Sequence, residues 1–209
     1  MWWNEIANLD RRLSLLGSNC EVSADAIIED GVVLDTSRGP IRIARGAKIC
    51  RGAILQGPGI VGPDALVGTN ALLRGPFVVE CDVRIGYASE LKNAIVRSGA
   101  SIGPMCFVAD SLIEQDAYLG AMVRTSNQRL DRQAVSVFHD GEKVETGLDK
   151  LGCRVGAKAT LGIQVIVLPG RVVQPGSVFE PRLTVDRNYP AGHYRAVQQI
   201  ESVEKEPSQ

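Results

Sequence analysis

The chain has 209 residues, enough for one ordinary core with small attachments. Its 23 basic and 24 acidic residues leave a formal net charge of -1, which argues against a general affinity for nucleic acid or an anionic membrane surface. The N-terminus lacks a basic start followed by an apolar core, and no apolar run reaches the roughly 18 residues of a membrane span, so a cytoplasmic protein is expected. The five cysteines (Cys20, Cys50, Cys81, Cys106 and Cys153) are odd in number, widely spaced and never arranged as CxxC, which fits buried reduced thiols better than disulfides or zinc ligands.

In chain order, Trp3, Ile6, Leu9, Leu13 and Leu16 are spaced helically and end at Gly17, predicting an amphipathic helix over 1–17 that caps the start of the main body. Then a period of six begins. Val22, Ile28 and Leu34 precede an insertion at 35–42, after which Ile43, Ile49, Leu55, Val61, Val67, Leu73, Val79, Ile85 and Leu91 recur without a slip. Four positions after many of them stands a small residue, as in Ala47, Ala53, Gly59, Ala65, Ala71 and Ser89, often with Gly, Asp or Asn between. Neither a helix nor an ordinary strand has this period. It predicts a triangular prism in which a short strand takes each face, the aliphatic residue points inward and the small residue lets the backbone turn the corner.

Three hexads close one coil of 18 residues, and residues 18 apart stack at the inter-strand spacing of about 4.8 Å. After a one-residue deletion the register resumes at Val96, Ile102 and Val108, then Ile113 and Leu119, and later Val155, Leu161, Val167, Val173 and Phe179. The prism is expected over 18–182. Residues 128–150 interrupt it, and Val135 to Val144 reads as two alternating strands around Asp140-Gly141, a hairpin arm leaving the prism with the length to embrace a neighbouring subunit. A C-terminal extension, 183–209, ends in a polar, frayed tail from Glu201.

The same count that stacks the core stacks the surface. Arg74 and Lys92 are 18 apart and fall in one phase on adjacent coils. Two cations about 4 to 5 Å apart repel by about 1 kcal/mol even in water, and an anion between them reverses the sign. Glu90 stands two residues before Lys92, which leaves two readings open: an anion site, or a solvated column with Glu90 as its salt-bridge partner.

Glu90-Leu91-Lys92-Asn93-Ala94-Ile95-Val96, Val108-Ala109-Asp110-Ser111, Leu119-Gly120-Ala121, Thr125-Ser126-Asn127 and Thr146-Gly147-Leu148-Asp149-Lys150-Leu151-Gly152 succeed one another in an order and spacing that resemble the left-handed β-helix acyltransferases. The likeness is to the C-terminal acetyltransferase half of bifunctional N-acetylglucosamine-1-phosphate uridylyltransferases and related sugar-phosphate nucleotidyltransferases. The resemblance implies an all-β fold, a single-stranded left-handed parallel β-helix of hexapeptide repeats with a short N-terminal helix and an inserted hairpin arm. Left-handedness comes from the resemblance, since parallel crossovers in general favour the right hand.

The resemblance further implies a homotrimer with acetyl-CoA as donor and a sugar phosphate as acceptor. Arg74 and Lys92 would hold the phosphate, Glu90 would belong to the sugar pocket, and the backbone of Gly120-Ala121 would contact acetyl-CoA at a subunit interface. Relatives read Gly-Ala-Gly-Thr where this chain has Gly120-Ala121-Met122-Val123. Small residues there also serve the corners of every coil.

The family base is a histidine 12 residues after the site lysine, and that position is Pro104. Its tyrosine three residues on corresponds to Phe107. The chain's two histidines, His139 on the hairpin and His193 near the C-terminus, would reach such a site only across a subunit boundary. Two histidines are also too few for the three-histidine zinc site of β-helix carbonic anhydrases, so no metal is expected. No Gly-rich phosphate loop of a nucleotidyltransferase is present. The expected function is acetyl transfer from acetyl-CoA to an amino-sugar phosphate, without pyrophosphorylase chemistry and without the family histidine. The alternative is a catalytically silent β-helix that binds a sugar phosphate or serves as regulatory or scaffold subunit for a separate nucleotidyltransferase.

Overall fold

A computed structural model describes residues 1–17 and 20–197. The hexads form a left-handed parallel β-helix of short strands. Fourteen strands make one sheet that wraps two faces, and nine make the third face. Two long strands, Leu72–Val79 and Glu90–Val96, turn from one face to the next and join the first two faces into that single sheet.

The inward column is the one the six-residue period marks. Ile49, Leu55, Val61, Val67, Leu73, Val79, Ile85, Leu91, Val96, Ile102 and Val108 are all buried in one continuous core. Register partners lie eighteen apart from Leu73 to Leu91 and seventeen apart from Leu91 to Val108, where the deletion shortens the coil. Across the 128–150 interruption Leu119 pairs with Leu161, so the insertion leaves the stack without changing its phase.

Each corner has a fixed chemistry. The third residue after most of the inward aliphatics takes a left-handed backbone, as at Gly46, Gly52, Asp64, Asn70, Asp82, Gly99 and Asp116. Glycine, aspartate and asparagine tolerate this conformation best. Met105, Met122, Lys158, Gln164 and Arg182 adopt it too, with φ of 56° to 64°. Residues without that tolerance occupy it at a cost of about 1–2 kcal/mol each. The fourth residue, small and fully covered at Ala47, Ala53, Ala65, Ala71 and Ser89, lets the backbone close.

The N-terminal segment differs from the expectation in two ways. It is two short helices, α1 (Trp2–Ala7) and α2 (Leu9–Ser14), broken at Asn8. It lies along the flank and leaves the first coil uncapped. The outward side chains Ile60, Val78, Ile95, Leu112 and Val172 make that flank apolar, and Trp2, Trp3, Ile6, Leu9 and Leu13 pack on it. An amphipathic segment finds more apolar surface there than at the end coil. Val22 and Ile28 of the first coil are consequently 42% and 38% exposed. At the other end the stack continues past 182. Thr184–Val185 and His193–Tyr194 add strands, and the rings of Phe179, Tyr189 and Tyr194 pack over its end. The expected tail from Glu201 lies outside the described residues.

The hairpin forms as expected, with Ser136–His139 antiparallel to Glu142–Glu145 around Asp140-Gly141. It does not stand free. Val135 and Val137 are buried with Trp2 and Trp3, and the His139 ring meets Trp3 edge-on at 5.5 Å. Its apolar side is thus taken by the chain's own N-terminal helices. Of the cysteines only Cys106 and Cys153 are buried, and burial pushes the Cys153 thiol up to about 12. Cys20 is exposed and Cys50 and Cys81 are half-buried, so the expectation of buried thiols holds for two of five.

The packing can be tested at two points. A methyl group on Gly103 would lie 2.8 Å from the Gly120 carbonyl carbon and the Ala121 nitrogen of the next coil. Gly103→Ala should therefore lower stability by about 1–3 kcal/mol in urea unfolding; an unchanged midpoint would contradict the close stacking. At the helix flank, Glu80 accepts from Arg97 and Ser98, while Arg97 also binds Glu5. Burial raises the Glu80 pKa, but the hydrogen bonds outweigh it and the carboxyl sits below its ordinary range. A depressed folded-state pKa gives stability that is complete above the ordinary glutamate value of about 4.3 and fades as pH falls below it. Glu80→Gln should cost about 1–3 kcal/mol at pH 7, with the difference from wild type shrinking below about pH 4 in acid titrations followed by circular dichroism.

Candidate functional site

Arg74 and Lys92 are direct register partners, and Gln56 precedes them in the same column. Their charges are not left bare. Arg74 donates from Nε to Glu90 Oε1 at 2.7 Å and pairs with the same oxygen through a terminal nitrogen. Lys92 donates from Nζ to Asp110 Oδ2 at 2.9 Å. The cluster therefore holds two cations and two carboxylates. Glu90 occupies only part of the five-donor guanidinium, and Asp110 only part of the ammonium. Both cations keep donors for a ligand, with the Lys92 side chain 26% exposed.

Asp110 is a site residue absent from the sequence expectation, and its place depends on more than the eighteen-residue count. Counting 18 from Lys92 reaches it, but the coil is one residue short here and the backbone partner of Lys92 is Ala109. Asp110 instead sits in a left-handed corner at φ 48°, below a bulge at Asn93 (φ 45°), and its side chain reaches back. Its Oδ1 accepts from Asn93 Nδ2 at 2.8 Å, and its Oδ2 accepts from Asn127 Nδ2 at 2.5 Å as well as from Lys92. Asn127 opens the loop into the insertion. Its neighbours Ser126 and Gln128 line a groove of about 510 Å³ walled by Leu130, Phe138, Leu168 and Arg171.

Gly120 and Ala121 are not beside Lys92. Lys92 belongs to the fourteen-stranded sheet, whereas they follow Tyr118–Leu119 of the nine-stranded one and share its edge with Pro104, whose carbonyl accepts from Met122 N. A column of glycines stacks there. A Cβ on Gly86 would lie 2.6 Å from the Gly103 carbonyl carbon and the Pro104 nitrogen, and one on Gly120 would lie 2.9 Å from the Gly162 carbonyl carbon. Packing alone thus requires glycine at 120.

Pro104 is exposed and offers no proton acceptor on its side chain. His139 is held against Trp3, and His193 Nε2 lies 3.0 Å from Glu180 Oε1 near the C-terminal end of the stack. Neither stands in the Arg74–Lys92 cluster. Among the described residues no group of three or more His, Cys, Asp or Glu side chains could hold a metal ion, and no helix is long and apolar enough to cross a membrane.

A parallel β-helix of hexapeptide repeats with a surface cluster of paired charges defines a hexapeptide-repeat protein. No family model matches the chain. The chain is 46% identical over 173 residues, 83% of its own length and 75% of the other's, to the uncharacterized acetyltransferase YaiX of Escherichia coli O6:K15:H31 (strain 536 / UPEC). It is 31% identical over 111 residues to the bifunctional sugar-1-phosphate nucleotidylyltransferase/acetyltransferase of Sulfurisphaera tokodaii, covering 53% of this chain and 28% of that protein. Among solved structures it is similar to a hexapeptide transferase family protein from Anaplasma phagocytophilum, with 15% identity, 77% and 73% coverage and a TM-score of 0.49. The chain belongs to the hexapeptide-repeat acetyltransferases and is related to sugar acetyltransferases.

Arg74→Ala should release Glu90 without unfolding the coil, because the pair is partly solvent-exposed and such pairs contribute about 0–1 kcal/mol. A loss of more than about 2 kcal/mol in urea unfolding would show that the pair is structural.

Proposed function

We propose that the chain transfers an acetyl group from acetyl-CoA to an amino-sugar phosphate, working as a homotrimer in the cytoplasm. The observation that carries this reading is the stacking of Arg74 on Lys92 in a chain of acetyltransferase ancestry. The open donors of both side chains suit a phosphate, and Glu90 suits a sugar hydroxyl. Gly120-Ala121 lies on a different face from Lys92, so donor and acceptor meet when that face of one copy lies beside Lys92 of the next.

In the reaction the acceptor nitrogen attacks the thioester carbon, the C–N bond forms and the C–S bond breaks. The departing thiolate takes up the proton that the nitrogen loses. With proline where relatives place a base, no side chain assists that proton transfer, and positioned bases typically contribute about 10²- to 10⁴-fold. Turnover rests on binding and orientation alone. Pro104 also favours a second reading, a silent β-helix that binds a sugar phosphate and serves a separate nucleotidyltransferase.

Release of CoA thiol with glucosamine-1-phosphate, measured at high enzyme concentration, separates the two. Acetyl transfer predicts slow turnover in the wild type, a loss of about 10- to 100-fold in kcat/KM for Lys92→Gln, and a gain of about 10² or more for Pro104→His. Background rates in both wild type and Pro104→His, with thermal stabilisation by the sugar phosphate retained, would remove the enzyme and leave the binding subunit.

A further inference from the structure

We propose that Asp110 is the positioning residue of this site, fixing the Lys92 ammonium to the root of the 128–150 insertion. The assignment rests on the acceptor role proposed for Lys92. One carboxylate oxygen, Asp110 Oδ2, accepts from both Lys92 Nζ and Asn127 Nδ2, so the lysine head and the first residue of the loop share a single atom. The other oxygen is held by Asn93. With its side chain only 5% exposed and three donors upon it, the carboxylate has no face left for a substrate and acts through Lys92.

The backbone fixes Asp110 in turn. Its N–H donates to Lys92 O on the coil before, and its carbonyl accepts from Gly152 N on the coil after, both at 2.8 Å. Leu151 N donates to Asn127 O at 2.9 Å and closes the base of the insertion. Gly152 re-enters the stack so closely that a Cβ would lie 2.0 Å from Ser111 Oγ and 2.2 Å from Ala109 O. Both ends of the insertion are therefore tied to the residue that holds Lys92, at the base of the loop whose Ser126 and Gln128 line the groove. A free lysine side chain loses rotamer entropy when it is ordered. Asp110 orders it before the acceptor arrives, which is preorganisation in the ordinary sense.

The experiment uses the full chain with Asp110→Asn, Lys92→Gln and the exchange Asp110→Asn/Asn127→Asp, which returns a carboxylate beside Lys92. Brief acetic anhydride labelling read by peptide mass spectrometry reports the exposure of Lys92, with Lys48 and Lys158 as internal references. Hydrogen exchange reports the 128–150 segment. Steady-state kinetics with glucosamine-1-phosphate, or its dissociation constant where turnover is slow, reports the acceptor. Positioning predicts that Asp110→Asn raises Lys92 labelling several-fold at unchanged reference rates, speeds exchange at 128–150, and raises the acceptor KM or dissociation constant about tenfold with kcat changed less. The exchange variant should recover most of each effect.

Unchanged Lys92 labelling and acceptor affinity in Asp110→Asn would overturn the proposal. So would a uniform loss of melting temperature and kcat that the exchange variant does not rescue, because that pattern marks a merely structural residue. Should Asp110→Asn fail to fold, the exchange variant alone decides: Lys92 protected supports the role, Lys92 labelled like a free lysine defeats it. A wild type that binds no sugar phosphate would sink the acceptor reading, while labelling and exchange still decide what fixes Lys92.

Discussion

Each coil buries its aliphatic side chain only against the coils before and after it, so the closeness with which successive coils stack is the constraint on which everything else depends. Closeness is set at the corners. A left-handed residue three positions after most inward side chains and a small covered residue at the fourth bring the backbone round, and the glycine column at 86, 103, 120 and 162 leaves out Cβ atoms that would hold two coils apart. Surface side chains are then stacked by the same geometry, with no freedom to choose other neighbours.

The charged cluster is a consequence of that stacking. Arg74 and Lys92 are forced together by the eighteen-residue coil, and their repulsion is relieved by Glu90 from the Lys92 strand and by Asp110 from the next coil. The shortened coil at this point matters. It displaces the backbone register by one and leaves Asp110 in a corner with its side chain reaching back to Lys92. The product is a balanced set of charges with donors to spare, which suits reversible binding of a phosphate better than a bare cationic pair would.

The fold is legible in the sequence because its signal is a count. Nine aliphatic residues at a spacing of six, the Asp140-Gly141 turn and the pairing of Arg74 with Lys92 all derive from periodicity and turn chemistry. Features that depend on which surface a segment meets are not legible in this way. Trp3, Ile6 and Leu9 announce an amphipathic helix, but only the apolar outward column of Ile60, Val78, Ile95 and Leu112 decides that it lies on the flank. Asp110 lies 18 after Lys92 yet reads as one more corner aspartate, and the one-residue deletion puts Ala109 opposite Lys92, so only the side-chain reach seen in the structure makes the pair. Gly120 shows the opposite limit, because the packing that demands glycine there is the same whether or not a ligand ever approaches. Pro104 is readable from the sequence as an absent base, and the structure gives no histidine in its stead within one chain.

The claim that unites these observations is that the Arg74–Lys92 column is a phosphate site. A crystal structure of the full chain grown with CoA and glucosamine-1-phosphate tests it most directly. The phosphate should lie within hydrogen-bond distance of both Arg74 and Lys92, with the amine turned toward the Pro104 and Gly120 edge of a neighbouring copy. A sugar phosphate bound elsewhere, with Arg74 still closed on Glu90 and Lys92 on Asp110, would contradict it.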